Sequence, residues 1–438
     1  MALIAELRKR RYEPDIRSRA EAYAASPADA EGRARIQLDL LNREWARLTR
    51  VVPYYARLRA SGSLPTVFGS LNEFAGTVPV VGRPEVREHG AAMTSDGPKA
   101  DFFRMTGGST AQPVQLPSWN SEYVQTRPDM WLGRSWFGIG PSSRLFLLWG
   151  HSHLLGTGFS GRLRRLKVIA SDRLLGYRRF SAYDLHHEKL REAAHAILEH
   201  RPVYMIGYSV ALDLFARANA DHAADLRALG LRAVIATAES FPAPDSAARL
   251  ADLFGCPATM EYGAVETGLM AHGRPEGGYR AFWRTYLLES VPGPTGMRTL
   301  VTSLYPRKFP LVRYDTGDEL ELTVPAREAV GIAEFARVVG RCNDSVILSD
   351  GAVIHSEVFT HAVRACPEVA AYQVVQAGTD LRIHYLSPER LSGQREEEIR
   401  TRLLKVHPEL GKVSLERVVA LERSIAGKTP MVVRRPAP

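Results

Sequence analysis

Arg104-Met105-Thr106-Gly107-Gly108-Ser109-Thr110-Ala111-Gln112-Pro113 gathers two glycines, three hydroxyl residues and a closing proline. Without Cβ atoms, Gly107 and Gly108 let backbone N–H groups approach a bulky anion closely. Thr106, Ser109 and Thr110 add hydroxyl donors, and Pro113 keeps the loop from running on as helix. Such a loop suits a polyphosphate; the alternative is an ordinary surface loop. It lacks the Gly-Lys-Ser/Thr ending of a P-loop, so that fold is not indicated.

Four further stretches carry chemistry-bearing residues. Glu261-Tyr262-Gly263-Ala264-Val265-Glu266-Thr267-Gly268 sets Glu266 in a glycine-flanked turn, and Pro310-Leu311-Val312-Arg313-Tyr314-Asp315-Thr316-Gly317-Asp318 sets Asp318 in another. Gly340-Arg341-Cys342-Asn343-Asp344 stands at a change of pattern, and Lys428 closes Ala426-Gly427-Lys428. Taken singly, the two acids read as solvated turn residues and the lysine as a surface cation. Their order along the chain carries the signal. His151 and His153 either line a pocket or are satisfied structural histidines.

These residues need elements to hold them. Residues 15–60 show helical spacing, with Leu38, Leu41, Trp45 and Leu48 on one face, broken at Val52-Pro53-Tyr54-Tyr55. Residues 61–90 read as extended loop with one short helix. Residues 118–137 read as mostly helical with a break at Pro128. Then strands and helices alternate. The strands are Leu145 to Trp149, Leu166 to Ala170, Val203 to Tyr208 and Ala233 to Ala238; helices Val210 to Ala218 and Asp245 to Phe254 follow the last two. This rhythm predicts an α/β fold around a mostly parallel sheet. Ligands on such sheets sit beyond the carboxyl ends of the strands, which gathers residues 150–153, 207–209 and 239–241.

Residues 287–324 read as β-rich. The final stretch of about 100 residues has the size of a small α+β domain. In it we read a strand at Ser345 to Leu348, a helix at Ser356 to Cys366, strands near Tyr372 and Leu381, a helix from Glu396 to Lys405 and a last strand at Val418 to Leu421. The expected division is a large domain over 1–340 and a small one over 341–438. No internal repeat is evident.

Bulk properties narrow the class. The chain has 438 residues, 45% hydrophobic and 24% charged, an ordinary globular composition. The net charge of +9 is scattered, with one dense run at 162–167. It favours any anionic ligand and does not single out nucleic acid, which is not an expected partner. Three distant cysteines without a Cys-x-x-Cys pair argue against a disulfide framework or structural zinc site. No apolar run approaches the roughly 18 residues of a membrane span, so a cytoplasmic chain with no membrane partner is the default.

In their order and spacing, these motifs resemble the adenylate-forming superfamily, specifically its phenylacetate–CoA ligase-like (CapK-like) branch. Val52-Pro53-Tyr54-Tyr55 is similar to that branch's N-terminal region, and Ile206-Gly207-Tyr208-Ser209 to one of its strands. Val301-Thr302-Ser303-Leu304 leading into the run from Phe309 to Asp318 is the most specific piece. The resemblance implies a large N-terminal domain with mixed and parallel sheets plus a small mobile C-terminal domain. It also implies ATP, Mg²⁺ and a carboxylic acid as reactants, with coenzyme A as the commonest acceptor and amines or carrier thiols as others; a homodimer is the oligomer to look for.

On this resemblance Thr106, Gly107, Gly108, Ser109 and Thr110 would hold the β- and γ-phosphates. Glu266 would bind Mg²⁺. Asp318 would accept from the ribose hydroxyls, with Arg341 beside it. Tyr262, Gly263, Ala238 and Glu239 would flank the adenine, and Lys428 would meet charge developing at the α-phosphate. Asn343 would be the hinge. Trp149, His151, Tyr208 and Phe241 would line the acyl pocket, with Trp136 and Phe159 as further candidates, which suits an aromatic or bulky apolar acid.

The chain departs from the family pattern at several positions. Ala111 and Gln112 replace the loop's final glycine and lysine, and Val265 replaces a hydroxyl residue, with Thr267 as a substitute. Asn343 replaces the hinge acid. His272 and Arg280 stand where some relatives carry cysteines, so no zinc is expected. These changes suggest a specialised biosynthetic enzyme. Two readings from other classes stay open. One is a serine hydrolase, with Ser209 in Gly207-Tyr208-Ser209-Val210-Ala211 as nucleophile. The other is a non-catalytic nucleotide- or acyl-binding protein.

Overall fold

The structure is a computed structural model. It describes residues 2–62, 64–105, 115–149, 158–182, 187–238, 241–293, 296–324, 326, 328–341, 345–350, 353–363, 366–423 and 429–435.

The chain opens with α1 (Ala2–Ala24), α2 (Ala30–Val51) and α3 (Pro53–Ala60). Asp29 starts α2 by accepting from the Gly32 amide at 2.7 Å. Pro53 occupies the first position of α3, where its missing N–H costs nothing. Leu41, Trp45 and Leu48 are buried with Phe68 and Phe74, so the predicted face of α2 is its core face. Two short helices follow, α4 (Leu71–Thr77) and α5 (Arg83–His89), where one was expected. Ser70 caps α4, and the Glu85 carboxylate accepts from the Gly82 amide at the start of α5. Local capping thus makes helices in a Pro- and Gly-rich stretch.

Next come β1 (Phe102–Met105), β2 (Gln115–Ser118), α6 (Asn120–Ser135) and β3 (Leu145–Leu148). The helix α6 runs through Pro128 without the expected break. Buried Glu122, Asp129, Trp131 and Arg134 anchor it on both sides of the proline, which outweighs a penalty of about 3 kcal/mol. Then follow α7 (Gly158–Leu175), β4 (Tyr177–Phe180), α8 (His187–His200), β5 (Tyr204–Tyr208), α9 (Ser209–Ala218), α10 (Ala223–Ala228), β6 (Ala233–Thr237) and α11 (Ser246–Phe254). The expected strand from Leu166 to Ala170 is instead part of α7. Leu166 and Ile169 are exposed, and a run mixing cations with apolar residues finds no place in a buried strand.

The remaining strands of the large region are β7 (Ala258–Ala264), β8 (Gly268–Gly273), β9 (Tyr279–Ala281), β10 (Tyr286–Gly293), β11 (Gly296–Ser303), β12 (Tyr314–Asp315), β13 (Asp318–Glu321), β14 (Ala329–Val330), β15 (Glu334–Phe335) and β16 (Arg337–Arg341). The central sheet has eight strands in the order β15-β9-β8-β7-β6-β5-β3-β4. From β7 to β4 every pairing is parallel; from β7 to β15 every pairing is antiparallel. One face of its parallel half packs on α8, α9 and α11, while Trp131 of α6 helps to cover the other. A second sheet, β12-β11-β10-β14, shares a core with the antiparallel half.

The last segment contains β17 (Ser345–Ile347), β18 (Val353–His355), α12 (Ser356–Val363), β19 (Ala371–Ala377), β20 (Asp380–Leu386), α13 (Gly393–Leu404), β21 (Ser414–Arg417) and β22 (Val432–Arg435). Its sheet has the order β21-β20-β19-β22 around a core drawn wholly from residues 346–432. The expected strand at Val418 to Leu421 ends earlier, at Arg417, and Val419 is 84% exposed. Strand β22 was not anticipated; it pairs parallel to β19. The architecture is α/β with mixed sheets and a C-terminal α+β segment, as the sequence reading expected. Among the described residues, no helix is long and apolar enough to cross a membrane.

Candidate active site

The register of the parallel strands brings the predicted residues to one edge. Leu148 pairs with Gly207, Tyr208 with Thr237, and Thr237 with Glu261. Trp149, Tyr208, Ala238 and the turn after Tyr262 therefore all leave the sheet at its carboxyl edge. The Trp149 and Tyr208 rings lie 4.7 Å apart, and Phe241 packs on the same apolar cluster. Ala238 has φ of +78°, a strained value for a residue with a Cβ, directly after β6. His151, Phe159 and Glu239 lie outside the residues or side chains described. Trp136 is held elsewhere, against His272 and Phe282.

Glu266 occupies the turn between β7 and β8. Gly263 is obligatory there, because a Cβ would meet the Gly268 carbonyl at 2.2 Å. The Thr267 hydroxyl is fully buried, donates to the Gly268 carbonyl at 2.7 Å and accepts from the Ala264 amide at 3.0 Å. It holds the turn together and does not replace the hydroxyl missing at the exposed Val265. The Glu266 carboxylate is 5% exposed and faces Arg83 at 3.8 Å. Tyr314 also feels both charges; burial and the Glu266 carboxylate push its phenol above the ordinary range.

Asp318 follows a tight turn in which Gly317 has φ of +73° and donates to the Asp315 carboxylate at 2.9 Å. The Tyr262 hydroxyl donates to Asp318 Oδ2 at 3.0 Å, with both residues over 90% buried. Tyr262 also meets Phe335 edge-on, at 6.0 Å. Arg341 is Asp318's partner across β13 and β16, so their backbones are adjacent. Thus Tyr262 of β7, four residues before Glu266, and Asp318 of β13 meet side chain to side chain, with the Arg341 backbone beside Asp318.

The expected phosphate loop, Thr106 to Pro113, falls between paired strands β1 and β2 but lies outside the described residues, as do Asn343 and Lys428. The C-terminal segment does approach this edge. Arg423 donates to the Ala182 carbonyl beyond β4, and Val210 of α9 packs with Ala371 and Leu421.

The sequence reading missed several charged residues. Arg134 donates to Glu261 at 2.7 Å beneath the sheet, with His272 Nε2 3.8 Å from the same carboxylate. Burial pushes His272 below its ordinary pKa. Burial alone would raise Glu261, but Arg134, His272 and the hydrogen bond together bring it below the carboxylate range. Gly133 makes room for that ring: a Cβ would meet it at 2.7 Å. His272 is thus core, and Arg280 is a surface partner of Glu334. Arg83, Arg104, Glu122 and Arg307 surround the Glu266 turn. Separated by up to 224 positions (307 − 83), they left no local pattern to read. Ser209 is completely buried in the first turn of α9, unlike the exposed serine of a nucleophile elbow.

Among the described residues no group of three His, Cys, Asp or Glu side chains gathers to hold a metal. Magnesium does not demand one: it is commonly held by one or two carboxylates plus substrate phosphates. Glu266 fits that requirement once phosphates are present.

No known protein family and no curated protein matches this chain by sequence. Solved structures do match. A 2-hydroxyisobutyryl-CoA ligase in the postadenylation state aligns with TM-score 0.68 and 18% identity over 94% of this chain and 91% of that one. In the thioesterification state, with 2-HIB-AMP and CoA, the TM-score is 0.57 with 18% identity over the same shares. An anthranilate CoA ligase in complex with anthranoyl-AMP aligns with TM-score 0.50 and 15% identity, over 75% of this chain and 65% of that one. The chain shares the fold of these CoA ligases.

Proposed function

We propose that this chain is an adenylate-forming ligase of the phenylacetate–CoA ligase-like kind. It would activate a carboxylic acid with ATP and pass the acyl group to an acceptor, coenzyme A first among the candidates. The observation that carries this reading is the buried Tyr262–Asp318 pair beside the Glu266 turn, at the carboxyl edge of a sheet with this fold. The close, tilted Trp149 and Tyr208 rings, in one apolar cluster with Phe241, favour an aromatic or bulky apolar acid.

In the first half-reaction a carboxylate oxygen bonds to the α-phosphorus of ATP and the bond to the β-phosphate oxygen breaks, releasing pyrophosphate. Asp318, oriented by Tyr262, accepts from the ribose hydroxyls. Thr106 to Thr110 hold the outgoing phosphates. Glu266 would hold Mg²⁺, which would supply charge neutralisation at the phosphates. Lys428 meets negative charge that grows only as the oxygen attacks. In the second half-reaction a thiolate bonds to the acyl carbon and AMP leaves. We assign these steps to a large domain over 1–340 and a small one over 341–438 that turns about Asn343.

The deciding experiment is a panel of carboxylic acids with MgATP, read by pyrophosphate release with and without CoA. Release that needs an aromatic acid, with an acyl-CoA formed when CoA is added, supports the reading. Release followed by product only with an amine would make the chain an amide-forming ligase. Tight ATP binding with no release for any acid would make it a nucleotide-binding protein, as Ala111, Gln112 and Val265 would allow.

A further inference from the structure

Three successive carbonyls of the Glu266 turn are each held by a buried donor from a different part of the chain. Arg104 Nη1 of β1 donates to the Val265 carbonyl at 3.3 Å, Arg307 Nη2 to the Glu266 carbonyl, and the Tyr286 hydroxyl to the Thr267 carbonyl at 2.6 Å. Glu122 ties the two arginines together. Its Oε2 accepts from Arg104 Nη2 at 3.3 Å and lies 3.5 Å from Arg307 Nε. Its Oε1 accepts from the Trp119 and Lys308 amides at 2.9 and 3.1 Å. Glu122 and Arg307 are fully buried and Arg104 is 8% exposed.

Burying two guanidinium groups around one carboxylate is costly, and such ion groups seldom raise stability over apolar packing. Their effect here is directional. Each carbonyl accepts from one donor that burial holds in place, so the three contacts together resist rotation of the peptides on both sides of Glu266. The Glu266 carboxylate is then left facing Arg83. Arg104 also belongs to the strand that leads into the expected phosphate loop, and its Nε donates to Ser118 of the paired strand at 3.0 Å. One carboxylate thus joins the base of the β1–β2 hairpin to the Glu266 turn.

We infer that Arg104, Glu122 and Arg307 form a positioning clamp that fixes the Glu266 turn relative to the base of the β1–β2 hairpin. The inference rests on the adenylation reading for its purpose, but not for its test. The clamp residues are buried and act through Glu266.

The test uses Glu122→Gln, Arg104→Lys and Arg307→Lys in the full chain, checked for folding by circular dichroism. In the ligand-free protein, hydrogen exchange of the 265–268 amides should rise by about tenfold in each variant, while β5 and β6 keep wild-type protection. In turnover with the best acid of the panel, the Mg²⁺ concentration for half-maximal rate should rise severalfold and kcat should fall. KM for the carboxylic acid should stay within twofold. If Glu122→Gln does not fold, the two lysine variants, which keep charge but lose the fork, carry the measurement. Wild-type protection of the turn in folded variants would overturn the clamp, as would equal loosening of the whole sheet. A wild-type chain that releases no pyrophosphate refutes the adenylation reading, yet the exchange measurement still decides the clamp.

Discussion

Tyr262→Phe removes the hydroxyl that donates to Asp318 in the proposed nucleotide site. The phenyl ring keeps the edge-on packing against Phe335, so only the hydroxyl that donates to Asp318 at 3.0 Å is lost. A hydrogen bond to an ionised group contributes roughly 1.5–3 kcal/mol, so about 2 kcal/mol is at stake for this buried pair. If about half of that reflects the fixed direction of the carboxylate towards the ribose, the lost 1 kcal/mol corresponds to an affinity about fivefold lower. The assay is a titration of ATP and AMP binding in Tyr262→Phe, Asp318→Asn and the double variant. In the Asp318→Asn background the tyrosine substitution should have little further effect, giving a coupling of about 1 kcal/mol. Binding within twofold of wild type in Tyr262→Phe, or additive losses in the double variant, would refute the assignment of this pair to the nucleotide.

Glu266→Gln should lower pyrophosphate release by about 10²-fold with the fold intact, since an amide is a poor ligand for a hard dication; steady-state rates across a Mg²⁺ titration check it. Lys428→Ala should slow adenylation by about 10²-fold, with ATP affinity nearly unchanged, and spare thioester formation from supplied acyl-adenylate. Equal damage to both half-reactions would argue against a turning small domain. His272 titrates below its ordinary value of 6.5 because it is buried, so the unfolded chain takes a proton that the folded chain refuses. Its contribution to stability is complete above pH 6.5 and is lost as pH falls below that value towards the folded pKa. Urea unfolding should show that decline, and His272→Phe should flatten it.

Local chemistry made much of this molecule legible in its sequence. The alternation of β3, β5, α9, β6 and α11 follows from apolar runs and turn residues, which act over a few neighbours. The glycine turns at 263–268 and 315–318 announced themselves because few other residues tolerate such backbone. Tertiary contact decided the rest. Pro128 stays within α6 because buried residues on both sides hold the helix, and residues 166–170 became helix because no sheet position was there to bury them. The groups around the Glu266 turn come from α5, β1, α6, β10 and the segment after β11, and Tyr262 finds Asp318 across 56 positions of chain. No spacing rule encodes such meetings. A buried arginine reads like any surface cation until folding removes the water around it and leaves a particular carbonyl as its partner.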